Sequence, residues 1–275
     1  MIEPAPVVRH RIAIRSGQVV AKKMLTPSFV RITVAGAELD DFVSSGAADH
    51  CKLFFADPTT GTVHVPTITD GSITRPESGP VVARDYTPRA YRPATADGPA
   101  QLDLDFFLHA DGGPASTWAR TCATGDRLSI AGPRGSRALP SGVRRLVLAG
   151  DETALPALAR WIEDVPDDIE IVAFGQISTD SDAAYLEPAH VHRAKVIWLP
   201  HDPERLDRAI RDLGQLDAHT LVWASGEASG LIPIRRYLRR ELGLPAAQVQ
   251  LSGYWKRGEI GHDHHAPIDP ADTDD

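Results

Sequence analysis

Cysteine is almost missing from this chain of 275 residues: Cys51 and Cys122 are the two present, far apart and without C-x-x-C spacing. An iron–sulfur cluster or a zinc site is therefore unsupported, and both thiols read as small apolar core residues in a reducing compartment. No apolar run is long enough for a membrane span. The opening MIEPAPVVRHRIAIRSG also lacks the apolar core of a secretory signal. The expected location is the cytoplasm, with no membrane partner. Positive charge is in deficit, 29 Lys and Arg against 37 Asp and Glu for a net charge of −8, which argues against general nucleic-acid binding. The sequence shows no internal repeat, no coiled-coil pattern and no long apolar edge that would define an oligomer. It also has neither a G-x-G-x-x-G dinucleotide fingerprint nor a Ser/His/Asp or paired-carboxylate arrangement.

What is present divides the chain in two. Its length suggests two domains, and 42% hydrophobic residues are enough for a core in each. The first half alternates short β-branched and aromatic runs with Gly, Pro and Asp punctuation: RIAIRSGQVVAKKM, FVRITVAG, CKLFFAD, ARDYTPRAYRP, QLDLDFFLHA and DRLSIAGP. With a single helical interruption after Pro114, this spacing predicts an antiparallel β-barrel or sandwich over residues 1–140. From 141 to 258, strand-like runs (145–149, 169–174, 195–199, 220–224) alternate with helix-like stretches such as TALPALARWIEDV and PERLDRAIRDLG. That rhythm predicts an α/β doubly wound parallel sheet. The tail, 259–275, is polar and Pro-containing and is expected to be disordered. No metal role is assigned to its run Gly261-His262-Asp263-His264-His265.

Two runs about twenty residues apart carry phosphate-handling chemistry. Arg84-Asp85-Tyr86-Thr87 puts a cation and a ring on alternate residues of an extended segment, with a hydroxyl beside them. His109-Ala110-Asp111-Gly112-Gly113-Pro114-Ala115-Ser116 reads as a turn opening a short helix with Pro near its first position, where the amides of Ala115 and Ser116 favour an anion. Together they suit a flavin dinucleotide better than a mononucleotide or a sugar. Other positions keep two readings. His109 is a cofactor contact or a hydrogen-bonded structural residue, and Trp118 is mainly core packing. Gly150-Asp151-Glu152-Thr153 is a ligand turn at a strand end or a plain corner capped by Thr153. Gly226 and Glu227 allow close approach of a nucleotide or simply end a strand.

Arg84-x-Tyr86-Thr87 is similar to the flavin motif of the ferredoxin-reductase superfamily. The runs DFFLHADGGPASTWA from Asp105, LAGDETALPALARW from Leu148 and GYWKRG from Gly253 narrow the resemblance to the siderophore-interacting proteins, FAD-dependent ferric-siderophore reductases. It extends from about Arg15 to Gly258. The resemblance implies that Arg84 holds the FAD pyrophosphate, Tyr86 packs on the isoalloxazine and Thr87 bonds near its N5, with His109, Gly112, Gly113, Pro114, Ala115 and Ser116 around it. Gly150, Asp151, Thr153, Gly226 and Glu227 would serve the nicotinamide nucleotide and Trp255 the flavin edge. Lys52, Arg134 and Arg257 would hold an anionic ferric siderophore. No catalytic residue is expected beyond the flavin-positioning Tyr86 and Thr87, because electron transfer requires no acid or base, and no metal is bound by the protein itself. NADH, NADPH and ferredoxin all remain open as the electron donor. Two rivals also stay open: a flavin reductase feeding another acceptor, which should lack the three-cation pocket, and a non-enzymatic siderophore carrier, which would not need Arg84-x-Tyr86-Thr87.

Overall fold

The strand-rich half of the sequence folds as residues Val7–Arg137, one of two units in the computed structural model; the other joins Met1–Pro6 to Ala138–Asp275. The structure describes residues 1–69, 71–109 and 112–272. The chain therefore crosses between units at 137/138, against the expected 140/141, and the first six residues belong with the C-terminal unit. There Ile2 is buried and the Glu3 amide donates to the Ser141 carbonyl at 3.2 Å. Nothing local in six residues reveals that pairing.

In the first unit β1 (Val7–Arg9), β2 (Ile14–Met24), β3 (Phe29–Ala35), β4 (Cys51–Phe55), β5 (Thr67–Thr69), β6 (Ser72–Thr74), β7 (Val82–Tyr86), β8 (Pro88–Arg92), β9 (Gln101–Phe107), β10 (Arg127–Ala131) and β11 (Gly135–Arg137) accompany one helix, α1 (Pro114–Thr121). Seven strands form an antiparallel sheet in the order β7-β4-β10-β2-β3-β9-β8. Its two edge strands are consecutive in sequence and joined by Thr87 alone, so the sheet must curl until its edges approach. The expected barrel is thus a half-barrel with a seam at Thr87. On β9, Leu102, Leu104 and Phe106 turn into the core, while Asp103 and Asp105 meet Arg92 and Arg31 on the other face. Small residues of α1, Ala115 and Ala119, join that core. β1–β11 and the hairpin β5–β6 were not foreseen.

The second unit contains β12 (Arg145–Gly150), β13 (Glu170–Ile177), β14 (Lys195–Pro200), β15 (Thr220–Glu227) and β16 (Val249–Trp255), with α2 (Leu155–Asp164), α3 (Pro188–Arg193), α4 (Pro203–Arg211) and α5 (Ala228–Arg236). All pairs are parallel, in the order β14-β13-β12-β15-β16. Burial along the inner strands β12, β13 and β15 is nearly continuous because helices cover both faces. Val147, Val222 and Ala224 pack with Leu206 of α4 and Leu231 of α5, whereas Trp223, pointing the opposite way, lies 6.3 Å from the Trp161 ring of α2. Among the described residues no helix is long and apolar enough to cross a membrane.

The expected disordered tail differs from the structure as far as Asp272; Thr273, Asp274 and Asp275 lie outside the described residues. Ile268 packs on the core. Asp269, 2% exposed, pairs with Arg236, and Asp272 with Arg235 and Arg240. A polar, Pro-containing composition cannot reveal that a folded surface upstream offers three arginines.

Candidate functional site

In the first unit β7 lies on the sheet edge and, among the described residues, pairs with β4 alone: Cys51 opposite Tyr86, Lys52 opposite Asp85, Leu53 opposite Arg84. Alternation puts Arg84 and Tyr86 on one face, Asp85 and Lys52 on the other. The half-buried Tyr86 ring packs on Phe106 with centroids 4.4 Å apart, and burial pushes its phenol pKa up. Arg84 donates to the Ala83 carbonyl at 2.7 Å, and Thr87 is 7% exposed at the seam.

At α1, Gly112 has φ +44°, a conformation that favours glycine. Gly113 is the N-cap, no side chain caps the helix, and Pro114 occupies its first turn. Ser116 Oγ donates instead to the Phe107 carbonyl at 3.3 Å, so it leaves the helix start uncapped. His109 is exposed; Ala110 and Asp111 lie outside the described residues. Arg120, not foreseen, donates to the carbonyls of Leu108 and His109 at 3.0 and 3.1 Å and so ties the helix to the end of β9. Trp118 packs near Phe55 and Phe106, as a core residue. A guanidinium, a ring, a hydroxyl at a seam and an uncapped helix start fit a flavin dinucleotide.

Lys52 is not a free cation: its Nζ lies 2.8 Å from Asp85. Arg134 is exposed and follows the cis Gly132–Pro133 bond, just beyond Ala131, the residue opposite Lys52. Arg257 is exposed in the other unit. A Ser/His/Asp grouping does exist: Ser136 Oγ lies 2.5 Å from Asp49 and 2.7 Å from His10 Nε2. The hydroxyl stands between acid and imidazole and is 2% exposed, so the carboxylate orients no base, and the group acts as a clasp on β11.

In the second unit the sheet order reverses between β12 and β15, the crevice where such sheets take ligands. The side chain of Asp151, 2% exposed, occupies it. It accepts from the Thr153 amide and hydroxyl at 2.9 and 2.5 Å, the Glu227 amide at 2.9 Å and Trp255 Nε1 at 2.7 Å. The helical cap here is thus Asp151 rather than Thr153, and both Thr153 donors are committed to it. Gly226, at φ +145°, is required because a Cβ there would lie 2.5 Å from Asp151 Oδ2. Burial, opposed by its hydrogen bonds, raises the Asp151 pKa. Glu152, 1% exposed, accepts from the Ser178 amide and hydroxyl, both at 2.6 Å, and from His201 Nδ1 at 2.8 Å. Burial alone would push its pKa up, but these bonds outweigh that and hold it low. Glu227 accepts from the amides of Gly230 and Arg257. Sequence reasoning missed Ser178 and His201, each at the end of a different strand.

An uncapped helix start and an edge strand carrying a cation and a ring in one unit, with a parallel sheet whose order reverses in the other, are the parts of a flavin- and nucleotide-dependent electron-transfer protein. Residues 18–137 match the siderophore-interacting FAD-binding domain and residues 143–258 the siderophore-interacting protein family. The chain belongs to the siderophore-interacting protein family. It is 32% identical over 251 residues to the NADPH-dependent ferric-chelate reductase of Escherichia coli (strain K12), covering 90% of this chain and 95% of that protein. It is 29% identical to the ferric vibriobactin reductase ViuB of Vibrio cholerae, covering 90% of each. The crystal structure of a siderophore utilization protein from T. fusca superposes with a TM-score of 0.82 at 35% identity, covering 95% of this chain and 99% of that one.

Proposed function

We propose that this chain reduces ferric siderophores with electrons from NADPH by way of FAD, releasing Fe(II), and that it does so in the cytoplasm, where NADPH is supplied. The observation that carries the reading is the end-to-end likeness to a ferric-chelate reductase, spanning 95% of that relative; Arg84 and Tyr86 on one face of β7 and the uncapped start of α1 support it. A sheet of nucleotide-binding type in the second unit favours NADPH over ferredoxin as donor.

We assign FAD to the unit Val7–Arg137. Arg84 and the amides of Ala115 and Ser116 would hold its pyrophosphate, Tyr86 and Thr87 its ring. Bound FAD supplies two-electron uptake and one-electron release, so each NADPH serves a pair of ferric ions. The unit with β12–β16 would take the nicotinamide nucleotide, and Lys52, Arg134 and Arg257 the anionic chelate.

The test begins with colour. Protein purified with FAD should show flavin absorbance, bleach anaerobically with NADPH, and recover colour on adding a ferric siderophore while an Fe(II)-specific chromophore develops. Arg84→Ala should weaken FAD binding by about 1.5 to 3 kcal/mol, the range for a hydrogen bond to a charged group. A wild-type protein that stays colourless at saturating FAD sinks the reading. Single Ala variants at Lys52, Arg134 and Arg257 should each raise KM for an anionic chelate by an equivalent of about 0.5 to 1 kcal/mol. Salt should act in the same direction, through a Debye length of about 8 Å. Unchanged KM in the triple variant would remove these residues from the substrate site.

A further inference from the structure

Five strand ends meet at the carboxyl edge of the parallel sheet, and the residues that follow them settle what a ligand there encounters. After β12 come Asp151 and Glu152, both almost fully buried and saturated by internal donors. Above them, His201 after β14 and Trp255 at the end of β16 approach from opposite edges of the sheet until their rings lie 6.4 Å apart. The acidic pair is therefore roofed by an indole and an imidazole.

We propose that His201 contacts a phosphate of the nicotinamide nucleotide, as an imidazolium backed by Glu152; this rests on the function proposed above. Glu152 is a carboxylate and can only accept, so the bond fixes the proton on His201 Nδ1. Nε2 belongs to a side chain 23% exposed and is left for a ligand. Among the described residues immediately following the five strand ends, the cations are His201, Lys256 and Arg257, and Lys256 pairs with Glu259 at 3.5 Å.

The charged groups acting on His201 are Glu152 and Asp151, which favour the imidazolium, and Arg257, which opposes it; Asp202 is its chain neighbour. The hydrogen bond to Glu152 is the largest influence and raises the pKa above its ordinary value of 6.5. Hence the cation is present below the raised pKa, and its contribution to anion binding is lost as pH rises through it.

The experiment is equilibrium binding of NADP+ and NAD+ to the FAD-loaded protein by calorimetry, from pH 7 upward so that the ligand phosphates keep constant charge. Wild-type affinity for NADP+ should fall about tenfold across the series, as expected for losing one charge-assisted contact. His201→Gln should bind about tenfold more weakly at pH 7 and show no such fall. His201→Lys should recover affinity with a flat profile over the same range. Glu152→Gln should move the wild-type fall to lower pH. A loss confined to NADP+ assigns the contact to the ribose phosphate, and an equal loss for NAD+ assigns it to the pyrophosphate; either supports the proposal. Wild-type affinity and pH profile in His201→Gln overturn it while leaving the proposed function intact. Failure of the wild type to bind either nucleotide overturns both.

Discussion

Asp151→Ala is expected to lower the unfolding free energy by about 3 kcal/mol, with Asp151→Asn costing nearly as much. The carboxylate is the common acceptor for an amide and a hydroxyl of its own turn, the backbone of β15 and the indole of β16. Removing it strands these donors in a site that is 2% exposed, at about 1 to 3 kcal/mol for each unsatisfied buried group, partly offset because no charge is then buried. Asparagine does not rescue, because both oxygens are used: whichever becomes the amide nitrogen points its hydrogens at two donors. A loss of this size corresponds to a fall in Tm of roughly 6 to 12 °C. Thermal unfolding of the FAD-loaded variants checks it. If alanine unfolds within a degree or two of the wild type, Asp151 does not hold the three strand ends together.

The difference between what the sequence revealed and what it hid follows contact distance. The parallel sheet was legible because strands covered on both faces are written as unbroken apolar runs such as Leu146–Ala149. The turn before α1 was legible because Gly112 sits at φ +44°, where glycine is favoured, and Pro114 suits the first turn of a helix. β5, β6 and β1 were not, being three residues each and largely exposed, with no alternation to detect. Ser178 and His201 lie 26 and 49 residues from Glu152, in segments that carry no motif, and only the parallel topology brings them to one edge. Asp151 and Glu152 likewise take donors from far along the chain, Glu227 and Trp255 for the first, Ser178 and His201 for the second. The pairing of Lys52 with Asp85 was hidden although both residues belonged to recognised segments, since register between β4 and β7 cannot be read from either strand alone.

Phe106→Ala should damage both the stability of the first unit and its flavin retention. Phe106 is fully buried on β9, with the Tyr86 ring at 4.4 Å and the Trp118 ring of α1 at 5.7 Å. It therefore supports two parts of the proposed flavin site at once, the ring on the edge strand and the helix whose first turn offers its amides. Truncation leaves a cavity among large rings that cannot collapse easily, at about 3 to 5 kcal/mol. Phe106→Leu keeps much of the volume and should cost less than half as much. Because Tyr86 and α1 lose their shared support, flavin occupancy should fall further in the alanine variant than in the leucine variant. Stability at saturating FAD and flavin absorbance per mole of protein separate the two effects. An alanine variant that is destabilised yet keeps full flavin would show that Phe106 serves the core alone, and that the Tyr86 ring does not depend on it to meet the cofactor.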